Sequence, residues 1–197
     1  YDIAENKESR KRYRREAAEV MNKRAAEFKR SCRTRMTMEA VRRYKDKVFY
    51  IPWSFDYRGR AYPIPAFLTP QDTDFGKSLL QFADEAPDVS EKWLAFQVAT
   101  SYGLDKATME ERLEWTRDNV SLVSAVATNP IAFIGEWEGA EEPWQFLAAC
   151  DEYYHCCIKC DRHTTSLPVA TDATCSGLQI LAGLARDKST ATLVNVV

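Results

Sequence analysis

The first 47 residues contain neither glycine nor proline, so nothing in them gives the backbone an easy exit from a helix. They are rich in Ala, Glu, Lys and Arg, residues that lose little on entering one. Ala17, Ala18, Val20, Met21, Ala25 and Phe28 recur at three- and four-residue spacings, which lays an apolar stripe along one face. The pattern predicts one long helix from residue 5 to about 33, then a second helix capped by Thr37 and running to 45. This segment carries 16 Lys and Arg against 8 Asp and Glu, whereas residues 48–197 carry 11 against 21. The formal net charge of −2 hides that segregation. An element suited to a polyanion therefore adjoins an acidic body, and a merely solvated charged helix is the competing reading.

Beyond the basic segment, Val48-Phe-Tyr-Ile-Pro-Trp53 reads as a strand leading into a turn at Arg58-Gly59-Arg60. A surface hairpin whose arginines are only solvated fits the same residues. Helices then dominate. Ser90 caps a helix over 91–102 that stops at Gly103, and Thr108-Met-Glu-Glu111 is a capping box for a helix running toward 120. A further helix is predicted over 141–159, with Pro143 in its first turn. Trp93, Phe96, Trp115, Trp144 and Phe146 are assigned to packing between these helices. At 197 residues and 45% hydrophobic, the chain can bury one sizeable core. There is no repeat, low-complexity run or lipidation signal, and no apolar run long enough to span a bilayer. The one boundary expected lies at residues 46–50. The chain begins with Tyr and stops in Val-Asn-Val-Val, so it is expected to be an internal piece of a longer protein.

The chemistry concentrates in Pro168-Val-Ala-Thr-Asp172-Ala-Thr-Cys-Ser-Gly177-Leu-Gln179. Val169 and Ala170 suit a buried strand, Asp172 falls at its end, and small residues turn the chain into a helix from about 178 to 184. A carboxylate so placed is either a metal ligand or the N-cap of that helix.

This stretch resembles metal-binding motif A of the bacteriophage-type single-subunit RNA polymerases, whose relatives also transcribe mitochondrial genomes. The family pattern runs Pro, an aliphatic, two residues, Asp, Gly or Ala, Ser or Thr, a small residue, Ser or Asn, Gly, an apolar residue and Gln. All twelve positions are met, although the His usual after the Gln is Ile180 here. Asp56-Tyr-Arg58-Gly59-Arg60-Ala-Tyr62 is similar to the family's Asp-aromatic-Arg-Gly-Arg-x-Tyr motif, whose arginines approach the template strand and the RNA:DNA hybrid. Further similarity runs through Asp74-Phe-Gly-Lys77 and Ala140-Glu-Glu-Pro-Trp144, so it covers most of the chain from about residue 48.

The resemblance implies an α+β, mainly helical fold with a small antiparallel sheet, residues 1–47 being a basic portion of the thumb and 48–197 a partial palm. It implies a DNA-directed RNA polymerase that transfers ribonucleotides to an RNA 3′ end. Two Mg²⁺ ions, about 3.5–4 Å apart in such sites, require oxygen ligands. Asp172 would be the catalytic carboxylate bridging both, and the main-chain carbonyl of Ala173 would bind one. The related DNA polymerases carry a bulky Glu five residues after that Asp, where a ribose 2′-hydroxyl would sit. Gly177 stands there instead and leaves room for the hydroxyl. Arg58 and Arg60 are the expected phosphate contacts, with Tyr62 and Lys77 beside them. The implied partners are a DNA template, the RNA transcript and ribonucleoside triphosphates, with no membrane and no obligate protein partner. The implied compartment is the cytoplasm of an infected bacterial host, or alternatively the mitochondrial matrix. A second metal carboxylate is expected beyond Val197, so the segment alone should be inactive. A DNA polymerase palm and a non-catalytic nucleic-acid-binding module are the two rivals.

Cys156-Cys157-Ile-Lys-Cys160-Asp-Arg-His163 places a C-x-x-C before a His, a pattern open to zinc. No second ligand pair accompanies it, and reduced thiols or a local disulfide are the other readings. His163 reads as a surface polar residue, and Cys175 as a small packing residue.

Overall fold

Asn6 starts the first helix by accepting the backbone N–H of Glu8 at 2.9 Å and of Ser9 at 3.3 Å. That helix, α1 (Lys7–Tyr44), runs unbroken for 38 residues. The expected break before Thr37 is absent. No Gly or Pro interrupts the region, and Thr37, instead of capping, is a buried residue inside the helix. Structure is described for residues 6–171, 175–194 and 196 of this computed structural model. The chain divides into two compact units, residues 1–167 and 168–197.

In the first unit α1 is followed by a hairpin of β1 (Trp53–Phe55) and β2 (Ala61–Pro63). They pair antiparallel with Trp53 opposite Pro63, Ser54 opposite Tyr62 and Phe55 opposite Ala61. The predicted strand thus begins at Trp53; the ladder ends with the Ile64 N–H donating to the Pro52 carbonyl at 2.9 Å, and residues 48–51 lie outside it. Then come α2 (Asp74–Ser78), α3 (Glu91–Tyr102), α4 (Met109–Asp118), α5 (Val120–Thr128), α6 (Ile134–Trp137) and α7 (Pro143–Tyr153). A single π-helical turn, Tyr154–Ile158, continues α7, so the predicted 141–159 helix is α-helical only as far as Tyr153.

Local chemistry sets most of these ends. Gly103, at φ +140°, stops α3 by donating to the carbonyls of Ala99 and Thr100. Thr108 and Glu111 form the reciprocal capping box of α4. Asn119 ends α4 before 120, its side-chain amide donating to the Trp115 carbonyl at 2.8 Å, and α5 starts afresh.

The core lies where α3, α5 and α7 meet. Leu94 and Val98 of α3, Val123 and Val126 of α5, and Phe146, Ala149, Cys150 and Tyr153 of α7 form one buried cluster. Tyr102 bridges Trp115 and Phe146, with ring centroids 4.6 and 5.2 Å away. Trp144 is more exposed and packs edge-on against Phe75 and Trp137. Thr116 satisfies its buried hydroxyl by donating to Ala95 and Arg112 carbonyls, each at 3.0 Å, which ties α4 to α3.

Two carboxylates join the hairpin side to this core. Asp74, at the start of α2, accepts the Trp144 N–H at 2.8 Å and the Gln145 N–H at 3.0 Å, capping α7 from 70 residues away. Asp72 accepts the N–H groups of Leu68 at 2.8 Å and Thr73 at 2.7 Å, and Arg33 of α1 at 2.5 Å. Burial pushes the Asp72 carboxyl up, but Arg33 and the two N–H donors outweigh it and hold its pKa below the ordinary value. Asp72 also abuts Gly76: a Cβ there would lie 2.3 Å from its Oδ2.

The second unit contains α8 (Ser176–Ala185) and α9 (Lys188–Leu193). Asp187 caps α9 through the N–H groups of Ser189 and Thr190. Gln179 donates to the Val194 carbonyl at 2.7 Å and pins the pair together. The expected strand at 168–171 does not form: these residues run without regular secondary structure. The nearest pairing is a single bridge between Ala86 and Thr165.

Phe146→Ala should lower unfolding free energy by about 3–5 kcal/mol, because a fully buried ring is lost. Ile131→Ala, at a site 85% exposed, should change it by less than about 0.5 kcal/mol. Urea unfolding of the two variants beside the parent measures both.

Candidate functional site

The hairpin turn is built by one side chain. Asp56 Oδ1 accepts the backbone N–H of Arg58 at 2.8 Å and of Arg60 at 2.9 Å. Its Oδ2 accepts Arg58 Nε at 3.2 Å. The main chain closes the loop, with Asp56 N–H donating to Arg60 O at 2.9 Å and Gly59 N–H to Asp56 O at 3.0 Å. Gly59 sits at φ +77°, a conformation that costs a side-chain-bearing residue strain. The sequence motif therefore encodes its own geometry: an Asx-type turn in which Asp and Gly hold two arginines at the tip.

Arg58 and Arg60 are both exposed. Arg58 leans over the Tyr57 ring, 5.4 Å from its centroid, while among the described residues no carboxylate pairs with the Arg60 side chain. Trp53, Phe55, Tyr57 and Tyr62 are also exposed, so the hairpin presents rings as well as guanidinium groups. Lys77 stands apart on α2, with Nζ 3.5 Å from Glu142 Oε1. Gln71 connects the two regions by donating to the Ala61 carbonyl at 3.1 Å. Asp56 is the functional residue that the reading of motifs left without a role. Its signal was the spacing from Asp to the N–H groups two and four residues later.

Asp172 and Ala173, the expected metal-binding residues, lie outside the described residues. Downstream of them, Cys175 occupies the N-cap position of α8 in a left-handed conformation, so that position does not belong to Asp172. Cys175 is exposed, which corrects its assignment as a packing residue. Among the described residues beyond its own helix backbone, none comes within 4 Å of the place a Cβ would take at Gly177, in the first turn. Neither a positive φ nor close helix packing accounts for glycine there. The exposed first turn carries no basic side chain.

The cysteine cluster has a different character. Cys156 and Cys157 sit in the π turn and Cys160 just beyond it, all as free thiols. Burial, above all, raises the Cys156 and Cys157 pKa values to about 11 and about 12, which works against the thiolate that zinc needs. Asp161 gathers Lys159 at 2.6 Å and His155 at 2.7 Å, and those contacts, Lys159 first, bring its pKa down to about 2. His163 is exposed, as its isolation predicted.

Residues 86–197 match the family described as DNA-dependent RNA polymerase. The DNA-directed RNA polymerase of Enterobacteria phage K11 is 32% identical over 199 residues, which cover 100% of this chain and 22% of that protein. The mitochondrial DNA-directed RNA polymerase of Neurospora crassa is 35% identical over 182 residues, 90% of this chain and 13% of the relative. Mitochondrial DNA-directed RNA polymerase 1 of Arabidopsis thaliana is 30% identical over 200 residues, 98% of the chain and 20% of the relative. The chain thus spans between 13% and 22% of the length of these relatives.

The Asp56 carboxyl is held below its ordinary pKa chiefly by the Arg60 N–H, with Arg58 contributing and partial desolvation opposing. A depressed carboxylate pKa contributes order that is present above the unfolded value of about 3.9 and lost as pH falls through the folded value. Protection of the Arg58 and Arg60 amides, taken as the ratio of intrinsic to observed exchange rate, should therefore hold above the ordinary carboxylate range and decline as pH falls below it. In Asp56→Ala that protection should be lost at every pH, as followed by hydrogen exchange.

Proposed function

The chain belongs to the DNA-dependent RNA polymerase family, and on that premise we propose that it is the thumb-to-palm segment of an enzyme that extends RNA on a DNA template. The observation that carries the ribonucleotide assignment is the open first turn of α8 at Gly177. A side chain at this position would project into space that a ribose 2′-hydroxyl can take, and glycine leaves it free. The palm of a DNA-synthesising enzyme would fill it.

The hairpin acts on the nucleic acid. Its two arginines offer planar, permanently charged donors to phosphate oxygens, held at fixed spacing by Asp56. Such contacts hold a strand without reading its sequence, so retention of the transcript should weaken with added salt. Tyr62 flanks them with a ring on the strand beside the turn. Lys77 joins the set by exchanging Glu142 for phosphate, which costs little because that half-exposed pair at 3.5 Å is weak. The basic residues of α1 that precede Arg33 supply positive charge to the same polyanion, and the acidic remainder of the chain repels it.

The donor set of the proposed metal site fits Mg²⁺: the Asp172 carboxylate and the Ala173 carbonyl are hard oxygen ligands, and no cationic side chain stands in the first turn of α8 to compete for them. Two such ions, when bound, acidify the RNA 3′-hydroxyl and offset the charge of the departing pyrophosphate. The chain's own part is to hold a negative charge at Asp172 and to keep the approach at Gly177 clear. The relatives include phage and mitochondrial polymerases. The compartment follows the template: the cytoplasm of an infected bacterium for a phage enzyme, the matrix for a mitochondrial one. No described helix is long and apolar enough to cross a membrane.

Asp172→Asn in the full-length polymerase should abolish RNA synthesis while leaving folding and template binding intact. Asn keeps the size and one ligand oxygen but not the charge, and it caps a helix about as well as Asp does. Elongation within a few fold of the parent would reject the metal role.

Arg58→Ala and Arg60→Ala should release short transcripts sooner while sparing promoter binding, and the difference from the parent should be largest at low salt and shrink as salt rises. Processivity equal to the parent across a salt series would remove the hairpin from the path of the hybrid.

A further inference from the structure

The long basic helix is held to the rest of its unit by a small patch. Thirty-eight residues at 1.5 Å each make α1 about 57 Å long, yet its one buried residue is Thr37. Among the described residues, no other helix or strand packs extensively along it. Arg33, Thr37 and the half-buried Ala40 and Val41 share one face, at spacings of four, three and one residues. Arg33 alone on that face makes a directed contact across the chain, reaching Asp72 at 2.5 Å and the Ala66 carbonyl at 3.4 Å, with Phe67 beneath its guanidinium.

Asp72 is a rigid anchor. Its side chain is fully buried, two backbone N–H groups fix its oxygens, and Gly76 closes against it. Arg33 is therefore held by a group that cannot follow it, while the helix from Lys7 to Arg33 extends about 39 Å beyond the anchor. A tilt of about 10° at Arg33 displaces the far end by about 7 Å, more than a phosphate contact tolerates. Packing at Thr37 seats the helix, and the directed Arg33–Asp72 pair limits its tilt and so the placement of the basic residues that precede it.

We infer that the Arg33–Asp72 pair is the positioning contact that sets the angle of the basic helix over the nucleic acid, and so the lifetime of the elongation complex. This rests on the polymerase reading of the chain. Neither residue touches substrate; both act through the helix they orient.

The test uses the full-length polymerase with fluorophores introduced through unnatural amino acids at positions 23 and 131, both exposed and both in the first unit. Asp72→Asn and Arg33→Gln should each broaden the distance distribution between the dyes, measured below the onset of unfolding. Each should shorten the half-life of a stalled elongation complex about tenfold, the scale of one lost charge-assisted hydrogen bond. The double variant should be no worse than either single, Arg33→Lys should fall between parent and Arg33→Gln, and the rate of a single nucleotide addition should hold. A purely structural role would lower the melting temperature without moving the distances. Distances like the parent's in both variants would overturn the inference, and so would broadened distances with an unchanged half-life. The distance measurement needs no catalysis, so failure of the polymerase reading would show separately, in active Asp172→Asn enzyme.

Discussion

The carboxylate of Asp74 ties the hairpin side of the chain to the helix around which the core is built. It accepts two N–H groups at the start of α7, and α7 then packs against α2, α3 and α5. The orphan donors of a helix start need partners, and Pro143 at the first helical position already removes one of them. Without Asp74 the rest would face an apolar neighbourhood of Phe75, Trp137 and Trp144. Asp72, two residues earlier, does the corresponding work for α1. A five-residue helix and the residue pair before it therefore carry the connections between the basic helix, the hairpin and the helical core.

Charge is distributed along the same line. Positive groups are concentrated on α1 and stand exposed at the hairpin tip, while several acidic residues of the body serve in caps and local pairs. Asp56 shows how the two signs cooperate: one carboxylate commits both oxygens to a turn whose purpose is to display two arginines. The stability of that turn is local, since its hydrogen bonds all fall between Asp56 and Arg60. At α8 glycine stands in the first turn, and among the described residues no atom outside its own helix backbone fills the place of its missing side chain.

Much of this was legible in the chain because its causes are local. The absence of Gly and Pro made α1 a helix, Gly103 and the Thr108–Glu111 box ended and began helices where they stand, and Asp56 through Arg60 folded as the turn their types demand. The family was likewise legible, because its motifs are short runs of neighbouring residues, Asp56 to Tyr62 and Pro168 to Gln179 among them. The errors have one origin as well. Thr37 offered a cap, but a helix with no breaker simply runs on through it when tertiary burial accepts the side chain. Val169 and Ala170 have strand-forming neighbours in composition, but a strand exists only where another segment completes its hydrogen bonds.

Sequence alone therefore determined most of the turns and helices and the family to which the chain belongs, since backbone propensity, capping and short motifs act over a few residues. Tertiary structure alone decided what those segments hold on to. Arg33 meets Asp72 across 39 residues, Asp74 meets Trp144 across 70, and Lys77 meets Glu142 across 65. Such pairs leave no periodicity in the chain, because they arise when distant elements are brought together and a charge leaving water must find an opposite charge or a hydrogen-bond donor.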